Sequence, residues 1–509
     1  MGRQAKNRQQ RVSHVVPLAE PQSTWADAGT LRPVGTSDVV VVGAGPTGLM
    51  LASELALGGA DVQLLEERAD TPNITRAFAV HARTMELLDA RGMADELLSR
   101  GVAVYEIAPP GGITMNLREL PSRFGMLLVV PQSGTEHVLG ARVDDMGVPV
   151  RRGAEVTGLD QDGDGVTVRC ADGTSTRTGY VVGCDGAHST VRRLAGIGFE
   201  GKQYETHILL ADVHLGHAPE ETLSGVTNDR GAVLLIPFGD GWFRAIAWDR
   251  LREQAPLTEP VTADEMRESF RRIACDDYGM TDMRWSSRFL SERKQAERYR
   301  ERRVFIAGDA AHVHSPLGGQ GMNTGIGDAM NLGWKLAQAV RGTAPGWLLD
   351  SYHGERHPVG AEVLRLTDVF NQLVLGRSTV QRLVRAVAIG TITRLPAGRR
   401  FMGGRLSQLG IGYPRASRSD HRMVGRRMPD VDCGGARLYE LLREGRFVMA
   451  VRADAPVDLD RPDVLRAVHH DRKLPAAVLV RPDGYVGWAD DQLPTASDAA
   501  AAVARWRPG

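Results

Sequence analysis

The chain has 509 residues, 62 Lys+Arg against 62 Asp+Glu for a formal net charge of zero, and 42% apolar residues. That length exceeds what one hydrophobic core serves, so two or three domains are expected, and the charge balance excludes a general affinity for nucleic acid or an anionic membrane. Four cysteines (Cys170, Cys184, Cys275, Cys433) stand far apart without a C-x-x-C pair, which argues against a disulfide framework, a zinc ribbon or a dithiol redox centre and fits a reducing cytoplasm.

Residues 1–37 begin with the basic, polar run MGRQAKNRQQRVSH, lack the apolar stretch of a secretory signal, and carry Lys6 where a myristoylation motif needs Ser or Thr; they read as a flexible leader. Val39 to Val42 is an unbroken β-branched run, the mark of a strand buried on both faces of a parallel sheet. Gly43-Ala44-Gly45-Pro46-Thr47-Gly48 follows at once, then a helical pattern that stops at Gly58-Gly59, then a second apolar strand that ends in Glu66 and Glu67. The glycine punctuation and Glu54 make this stretch a poor membrane span, and no transmembrane segment is expected. Strand, turn, helix, strand and acid together form the dinucleotide fingerprint. Gly43 permits the tight turn, Gly45 lets backbone approach a pyrophosphate, Gly48 lets helix and strand pack closely, and Glu66 can accept from ribose hydroxyls. The pyrophosphate belongs at the positive end of the helix dipole. These residues alone do not say which dinucleotide binds.

Two later stretches narrow the choice. Residues 178–196, TGYVVGCDGAHSTVRRLAG, place Asp185-Gly186 between a short apolar strand and a helical run. Residues 308–331, GDAAHVHSPLGGQGMNTGIGDAMN, place Gly308-Asp309 directly after the strand Val304 to Ala307. Two short acids beside glycine at strand ends suit a second and third approach of the chain to a long polyol cofactor. His312 and His314 have no third ligand at metal spacing, so they read as packing or hydrogen-bonding residues and no metal is expected.

With GAGPTG at 43–48, CDGAHSTVR at 184–192, and GDAAH with PLGGQGMN at 308–323, in this order, the chain resembles the flavin-dependent aromatic hydroxylases typified by para-hydroxybenzoate hydroxylase and phenol hydroxylase. Within them it is most similar to bacterial hydroxylases of polycyclic aromatic polyketides. The resemblance spans about residues 38–398 and continues more weakly beyond. It implies FAD, with Asp309 on the ribityl chain and Pro316, Gly318, Gly319, Gly321, Met322 and Asn323 along the flavin ring, where a helix beginning near Met322 stabilises the reduced anion. It implies that Arg76 lies near the pyrophosphate and the reducing nicotinamide nucleotide. Arg83 is either a second pyrophosphate ligand or a helix-surface charge. Gln132 lies near the flavin, His188 is either an NAD(P)H contact or a solvent-facing turn histidine, and Arg192 braces its segment.

The implied reaction uses NADPH or NADH to reduce FAD and O2 to form a flavin hydroperoxide, which hydroxylates a phenolic or quinonoid polycyclic aromatic. The flavin performs the chemistry, so no protein dyad or triad is expected; the protein positions, tunes and excludes water. The glycines at 318, 319 and 321 would let the cradle accept both an inner and an outer flavin position. Two alternatives stay open: Baeyer–Villiger-type oxygen insertion on the same fold, and a non-catalytic FAD protein that sequesters a drug-like aromatic. A flavin halogenase is disfavoured, because no W-x-W-x-I-P segment is present.

Strand-like runs at 207–215, 231–250 and 282–299 suggest a twisted antiparallel sheet that roofs the flavin. Phe238, Trp242, Phe243 and Trp248 are candidate lining residues, of which strand alternation puts about half on the other face. An amphipathic helical stretch runs from Pro358 to about Leu395. RFVMAVRA and AAVLVRPDGYVGWA then read as strand, strand, PDG turn and strand, similar to the thioredoxin-like C-terminal domain of several such hydroxylases. Cys433 is the only cysteine there, which rules out dithiol exchange. The expected architecture is α/β: a Rossmann-like FAD-binding domain (38–103, 136–205, 296–398), a substrate-binding sheet region (104–135, 206–295), a linker (399–424) and a thioredoxin-like domain (425–509). The expected partner is a small aromatic substrate, with no nucleic acid and no membrane, and the organisation is compatible with a homodimer.

Overall fold

The computed structural model describes residues 37–70, 77–107, 114–219, 223–315, 318–375, 387, 390–391, 394–455 and 461–508. Its first layer is a mostly parallel sheet in the order Val304–Ile306, Ser175–Gly183, Ser37–Val42, Val62–Glu66, Val150–Arg152. Val41 pairs with Leu64 on one side and Val182 on the other. The β-branched run is there because both of its faces are covered; Val39, Val40 and Val41 are wholly buried. Antiparallel strands Val156–Gln161 and Val166–Cys170 extend the edge of Ser175–Gly183.

The helices in chain order are α1 (Pro46–Leu57), α2 (Ala82–Asp89), α3 (Ala94–Ser99), α4 (Gln132–Asp145), α5 (Thr190–Leu194), α6 (Ala263–Ala274), α7 (Gly321–Val340), α8 (Asp350–Leu375) and α9 (Pro396–Leu406). Helices α1 and α7 cross so closely that a Cβ on Gly333 would lie 2.4 Å from the Cβ of Glu54. Thus the helix that opens at the GAGPTG turn rests on the helix that opens at PLGGQGMN.

The second layer is a six-stranded antiparallel sheet in the order Ser224–Thr227, Gly231–Pro237, Trp242–Asp249, Phe199–His214, Met283–Ala296, His312–Val313. Alternation divides its faces. Leu209, Ala211, Val213, Val233, Leu235, Ala245 and Ala247 pack against Met266, Phe270 and Ile273 of α6. The opposite face carries Ile236, Phe238, Trp242 and Ile246 onto Phe78, Ala79, Val104 and Val129 of a small sheet formed by Ala79–Val80, Leu127–Val129 and Val102–Val104. Pairing of Lys294 with Val313 and of Gln295 with His312 stitches this layer to the 308–331 segment.

The C-terminal region forms a four-stranded sheet, order Val464–His469, Phe447–Arg452, Ala477–Val480, Val486–Asp490, with the first pair parallel and the others antiparallel. The PDG turn closes the last hairpin with Gly484 at φ +77°, a conformation open to glycine. Buried ion pairs fasten the region to the rest: Arg481 reaches Glu355 of α8 at 2.7 and 2.9 Å, and Glu355 also takes Lys335 of α7 at 2.7 Å. The stretch expected as a linker contains the end of α9 and then buried Ser407, Gln408 and Leu409, because Gln408 donates to Gln320 and Thr324. Among the described residues no helix is long and apolar enough to cross a membrane.

Candidate active site

The first segment, 43–48, is a turn that requires glycine at two of its positions. A Cβ on Gly43, at φ +103°, would lie 2.4 Å from the carbonyl oxygen of Cys184, and one on Gly48 would lie 1.8 Å from that of Gly43. Gly45 differs: nothing lies within 4 Å of where its Cβ would stand. Open space therefore faces the backbone at the start of α1, where Pro46 and Thr47 begin the helix. Glu66 accepts from the Ala44 N–H at 2.7 Å and from Arg68 N and Nε at 3.1 and 2.7 Å. Burial pushes its carboxyl up, but these donors outweigh that and hold it below the usual range. Neighbouring Glu67 is exposed.

The second segment is held by its own acid. Asp185 accepts from Ser189 Oγ at 2.6 Å and from Thr190 and Val191 N–H at 2.7 and 3.0 Å, capping α5, with Gly186 at φ +79° beside it. Arg192 ties this turn to the third segment, donating to the carbonyls of Ala187 at 3.0 Å and Ala310 at 2.9 Å. In the third, Gly308 sits at φ +62° with its missing Cβ 2.6 Å from Thr47 Oγ1. All three segments thus converge at the N-terminus of α1. Asp309 is exposed on the cleft, and a Cβ on Gly321, first residue of α7, would stand 3.7 Å from its Oδ1 and 3.6 Å from His314 Nε2. That buried His314 nitrogen has no partner.

Behind the turn lies a charge cluster that the linear pattern did not reveal. Asp328 accepts from Arg356 Nε at 2.6 Å and from the Gly308 N–H at 3.1 Å, and its Oδ2 lies 2.6 Å from His312 Nε2. The acid in GIGDAMN, seven residues into α7, was the available signal; its partner Arg356 is 28 residues further on.

The glycine-rich loop at 318–321 is tied to the small sheet. His81 Nε2 lies 2.9 Å from the Gly318 carbonyl, and its N–H donates to Asn323 Oδ1 at 2.9 Å; Asn323 Nδ2 donates to the carbonyls of Ala79 and Gly319. Burial holds the His81 imidazole down to about 4, against the raising effect of the Gly318 and Gly319 carbonyls. An unfolded histidine binds its proton near 6.5. Between these values only the unfolded chain is protonated, so His81 contributes stability above pH 6.5 that is lost as pH falls toward 4. We expect about 2 kcal/mol of that contribution to vanish between pH 7 and pH 5. Urea unfolding at both values should show a smaller pH difference in His81→Gln; an unchanged difference would exclude this assignment.

The sheet face that meets Phe78 carries a charged cluster of Asp212, Arg244 and Arg284, the last 3.7 Å from Asp212 Oδ2 and 4.4 Å from the Trp242 ring centroid. Arg244 Nε donates to Asp212 Oδ1 at 2.5 Å, and the guanidinium lies over the rings of Trp285 (4.8 Å), Phe238 (5.4 Å) and Phe78 (5.9 Å). Both residues are wholly buried, and neither Nη1 nor Nη2 of Arg244 has a partner. A buried guanidinium with free donors is an unusual expense in a core and belongs where a polar group is to be received. Of the four expected lining residues, Phe238 and Trp242 lie on this face, whereas Phe243 joins the α6 core.

The three convergent glycine turns, the open space at Gly45 and the exposed Asp309 fit a long dinucleotide cofactor. A family model described as FAD binding domain matches residues 36–367, and one described as the C-terminal part of aromatic-ring hydroxylases matches 421–507. The chain belongs to the FAD-dependent aromatic-ring hydroxylases. It is 40% identical to the rifampicin monooxygenase of Streptomyces venezuelae over 89% of this chain and 96% of the relative. Its fold superposes with TM-score 0.82 on OxyS anhydrotetracycline hydroxylase from Streptomyces rimosus, at 36% identity over 92% and 99% of the two chains. It superposes with TM-score 0.80 on the Diels-Alderase PyrE3 of pyrroindomycin biosynthesis, at 34% identity over 92% and 99%.

In this hydroxylase the turns at 43–48, 185–186 and 308–309 come together, Gly321 stands beside Asp309, and Gly318 and Gly319 lie against Phe370 and Ala79. Met322 and Asn323 are buried beneath the loop, and the side chain of Asn323 is fully occupied in holding it. Gln132 accepts from the Ala77 N–H at 3.0 Å and donates to Glu136 at 2.7 Å, at the start of α4. His188 is exposed on its turn. Arg83 stands in the contact with the C-terminal region: its Nη1 donates to Glu86 and Tyr439 Oη, its Nη2 to the Asp483 carbonyl at 2.8 Å. The cause is that every residue of α2 is buried, so a charge on that helix needs internal partners. Arg76 and Pro316 lie outside the described residues. No group of three or more His, Cys, Asp or Glu among the described residues is arranged to hold a metal.

Proposed function

We propose that this hydroxylase oxygenates a phenolic or quinonoid polycyclic aromatic of the polyketide type, taking reducing equivalents from NADPH or NADH. The observation that carries this reading is an aromatic and aliphatic sheet face, Ile236, Phe238, Trp242 and Ile246 over Phe78 and Ala79, that holds the buried Asp212–Arg244 pair with Arg284 beside it. Bound FAD supplies the reduction and oxygen-transfer chemistry. Gly43, Gly45, Pro46, Thr47, Gly48 and Glu66 would hold its adenosine and pyrophosphate end, Asp185, Gly186, Gly308 and Asp309 its ribityl chain, and Gly318, Gly319 and Gly321 its ring. The α7 N-terminus supplies fixed positive potential at the ring. Phe78, Phe238 and Trp242 exclude water from the aromatic ligand, and Arg244 offers two donors to a phenolate or quinone oxygen, drawing negative charge onto that atom. The likeness to a rifampicin monooxygenase and an anhydrotetracycline hydroxylase supports a substrate of this class.

The same reading divides the chain into FAD-binding segments 38–103, 136–205 and 296–398, a substrate sheet from 104–135 and 206–295, and a C-terminal region. The four-stranded C-terminal sheet with one parallel pair supports a thioredoxin-like fold, in which the lone Cys433 serves structure. A second reading, ring formation or rearrangement without oxygen transfer, is favoured by the likeness to PyrE3.

The test is the visible spectrum of the purified protein, followed by NADPH oxidation with and without a polycyclic phenol such as anhydrotetracycline. Flavin absorption, substrate-stimulated oxidation and a product one oxygen heavier are expected. A product of unchanged mass would favour the second reading, and the connectivity of a heavier product separates hydroxylation from Baeyer–Villiger insertion. A protein that does not bind FAD would overturn both.

A further inference from the structure

A small cleft of about 90 Å³ lies between the C-terminal ends of α1 and α7 and the start of the C-terminal sheet. Helix α7 runs from Gly321, and its cleft-lining residues lie between Trp334 and Arg341, so the cleft is about 20–30 Å from the glycine loop at 1.5 Å per residue. It is a separate place, and its wall is not chemically neutral.

Trp334 and Gln338, one turn apart on α7, line the cleft and are only 5% and 8% exposed, and Trp334 Nε1 and Gln338 Oε1 are buried in its wall without a hydrogen-bond partner. Buried polar atoms are ordinarily paired, so both point to something received there. The charges are uneven. Glu54 is neutralised by Arg91 at 2.5 and 2.7 Å, Glu444 pairs with Arg446, and Asp463 is shared between Arg461 at 3.0 Å and Arg507 at 3.3 Å. Arg341 donates to the Gly58 carbonyl at 3.1 Å and has no carboxylate partner among the described residues. Its charge bears on Arg507, whose pKa is held down by burial and by neighbouring arginines. A single water between Trp334 and Gln338 would satisfy those two atoms and leave this positive surplus unanswered.

We propose that the cleft is a second ligand site, distinct from the flavin site, for a small organic oxyanion, a carboxylate or a phosphate ester. Its anionic oxygens sit between Arg341 and Arg507 and accept from Trp334 Nε1. Guanidinium forks match either head group, the Gln338 amide takes a ligand donor, and Leu57, Ala337 and Phe447 face a compact hydrocarbon body.

The FAD-loaded full chain is titrated with sodium benzoate and, separately, with inorganic phosphate, at an ionic strength held constant with sodium chloride, and the heat is followed by calorimetry. A saturable heat with at least one salt is expected, weakened about tenfold or more in Arg341→Met. Arg341 is exposed, so this variant keeps the fold. Binding by benzoate alone assigns a carboxylate, and by phosphate alone a phosphate ester. No saturable heat with either salt up to about 10 mM overturns the proposal. So does equal affinity in wild type and Arg341→Met, which would put the anion elsewhere, the aromatic pocket included.

Discussion

Gly45→Ala is expected to lower FAD affinity about ten- to a hundredfold while leaving the apoprotein as stable as wild type to within about 0.5 kcal/mol. Gly48→Ala, three residues on, is expected to destabilise the apoprotein itself by about 3 kcal/mol or more. Gly45 has φ −77° and open space around its missing Cβ, so alanine fits the chain and intrudes only on a ligand that approaches the backbone. At Gly48 the new atom would stand 1.8 Å from a backbone oxygen, which cannot move without reopening the Gly43 turn. Urea unfolding of the two apoproteins and FAD titration followed by flavin fluorescence separate the effects. Equal FAD affinity in Gly45→Ala and wild type would mean that the pyrophosphate does not pass over this turn.

Arg356→Met is the second large effect. It leaves Asp328 buried with only His312 and the Gly308 N–H, and breaking a buried ion pair from one side costs about 3–5 kcal/mol. Burial pushes the Asp328 carboxyl up, and Arg356 and His312 together outweigh that and hold it below its ordinary value. A depressed carboxylate stabilises the fold above its unfolded pKa, near pH 4, and that contribution is lost as pH falls through the folded value. In Arg356→Met that contribution is missing, so the deficit against wild type is expected to be full at pH 7 and to narrow as pH falls toward and below 4. Because Asp328 also holds the Gly308 N–H, flavin retention should weaken with it. Unfolding free energy and FAD retention measured from pH 7 down to pH 4 test this; stability unchanged from wild type would show that the cluster is not an interacting unit.

Much of the cofactor side was legible in the residues because its physics is local. A strand ending in Gly-x-Gly-x-x-Gly, an acid beside glycine at a strand end, and a glycine-rich loop opening a helix each state a backbone conformation, and the structure shows those conformations at Gly43, Gly186 and Gly308. The period-two alternation at 231–250 likewise announced a sheet with one face on a core. What it did not announce was which face met the small sheet around Phe78, so Phe238 and Phe243 read alike and are separated only by packing against Phe78 or α6.

Charges were the least legible. Arg83 and Arg192 look the same in an arginine-rich chain, yet one reaches 400 residues ahead to the Asp483 carbonyl and the other braces two cofactor turns. Arg244 and Asp212 are 32 residues apart and meet only because their strands pair in that register. The sequence by itself determined the turns, the order of the layers and the class of cofactor, since each rests on what a few adjacent residues permit the backbone to do. The tertiary structure alone decided which ions pair, which sheet face packs on Phe78 and which on α6, and how the C-terminal region locks onto α7 and α8. Those outcomes depend on distances between residues far apart in the chain, which no local pattern encodes.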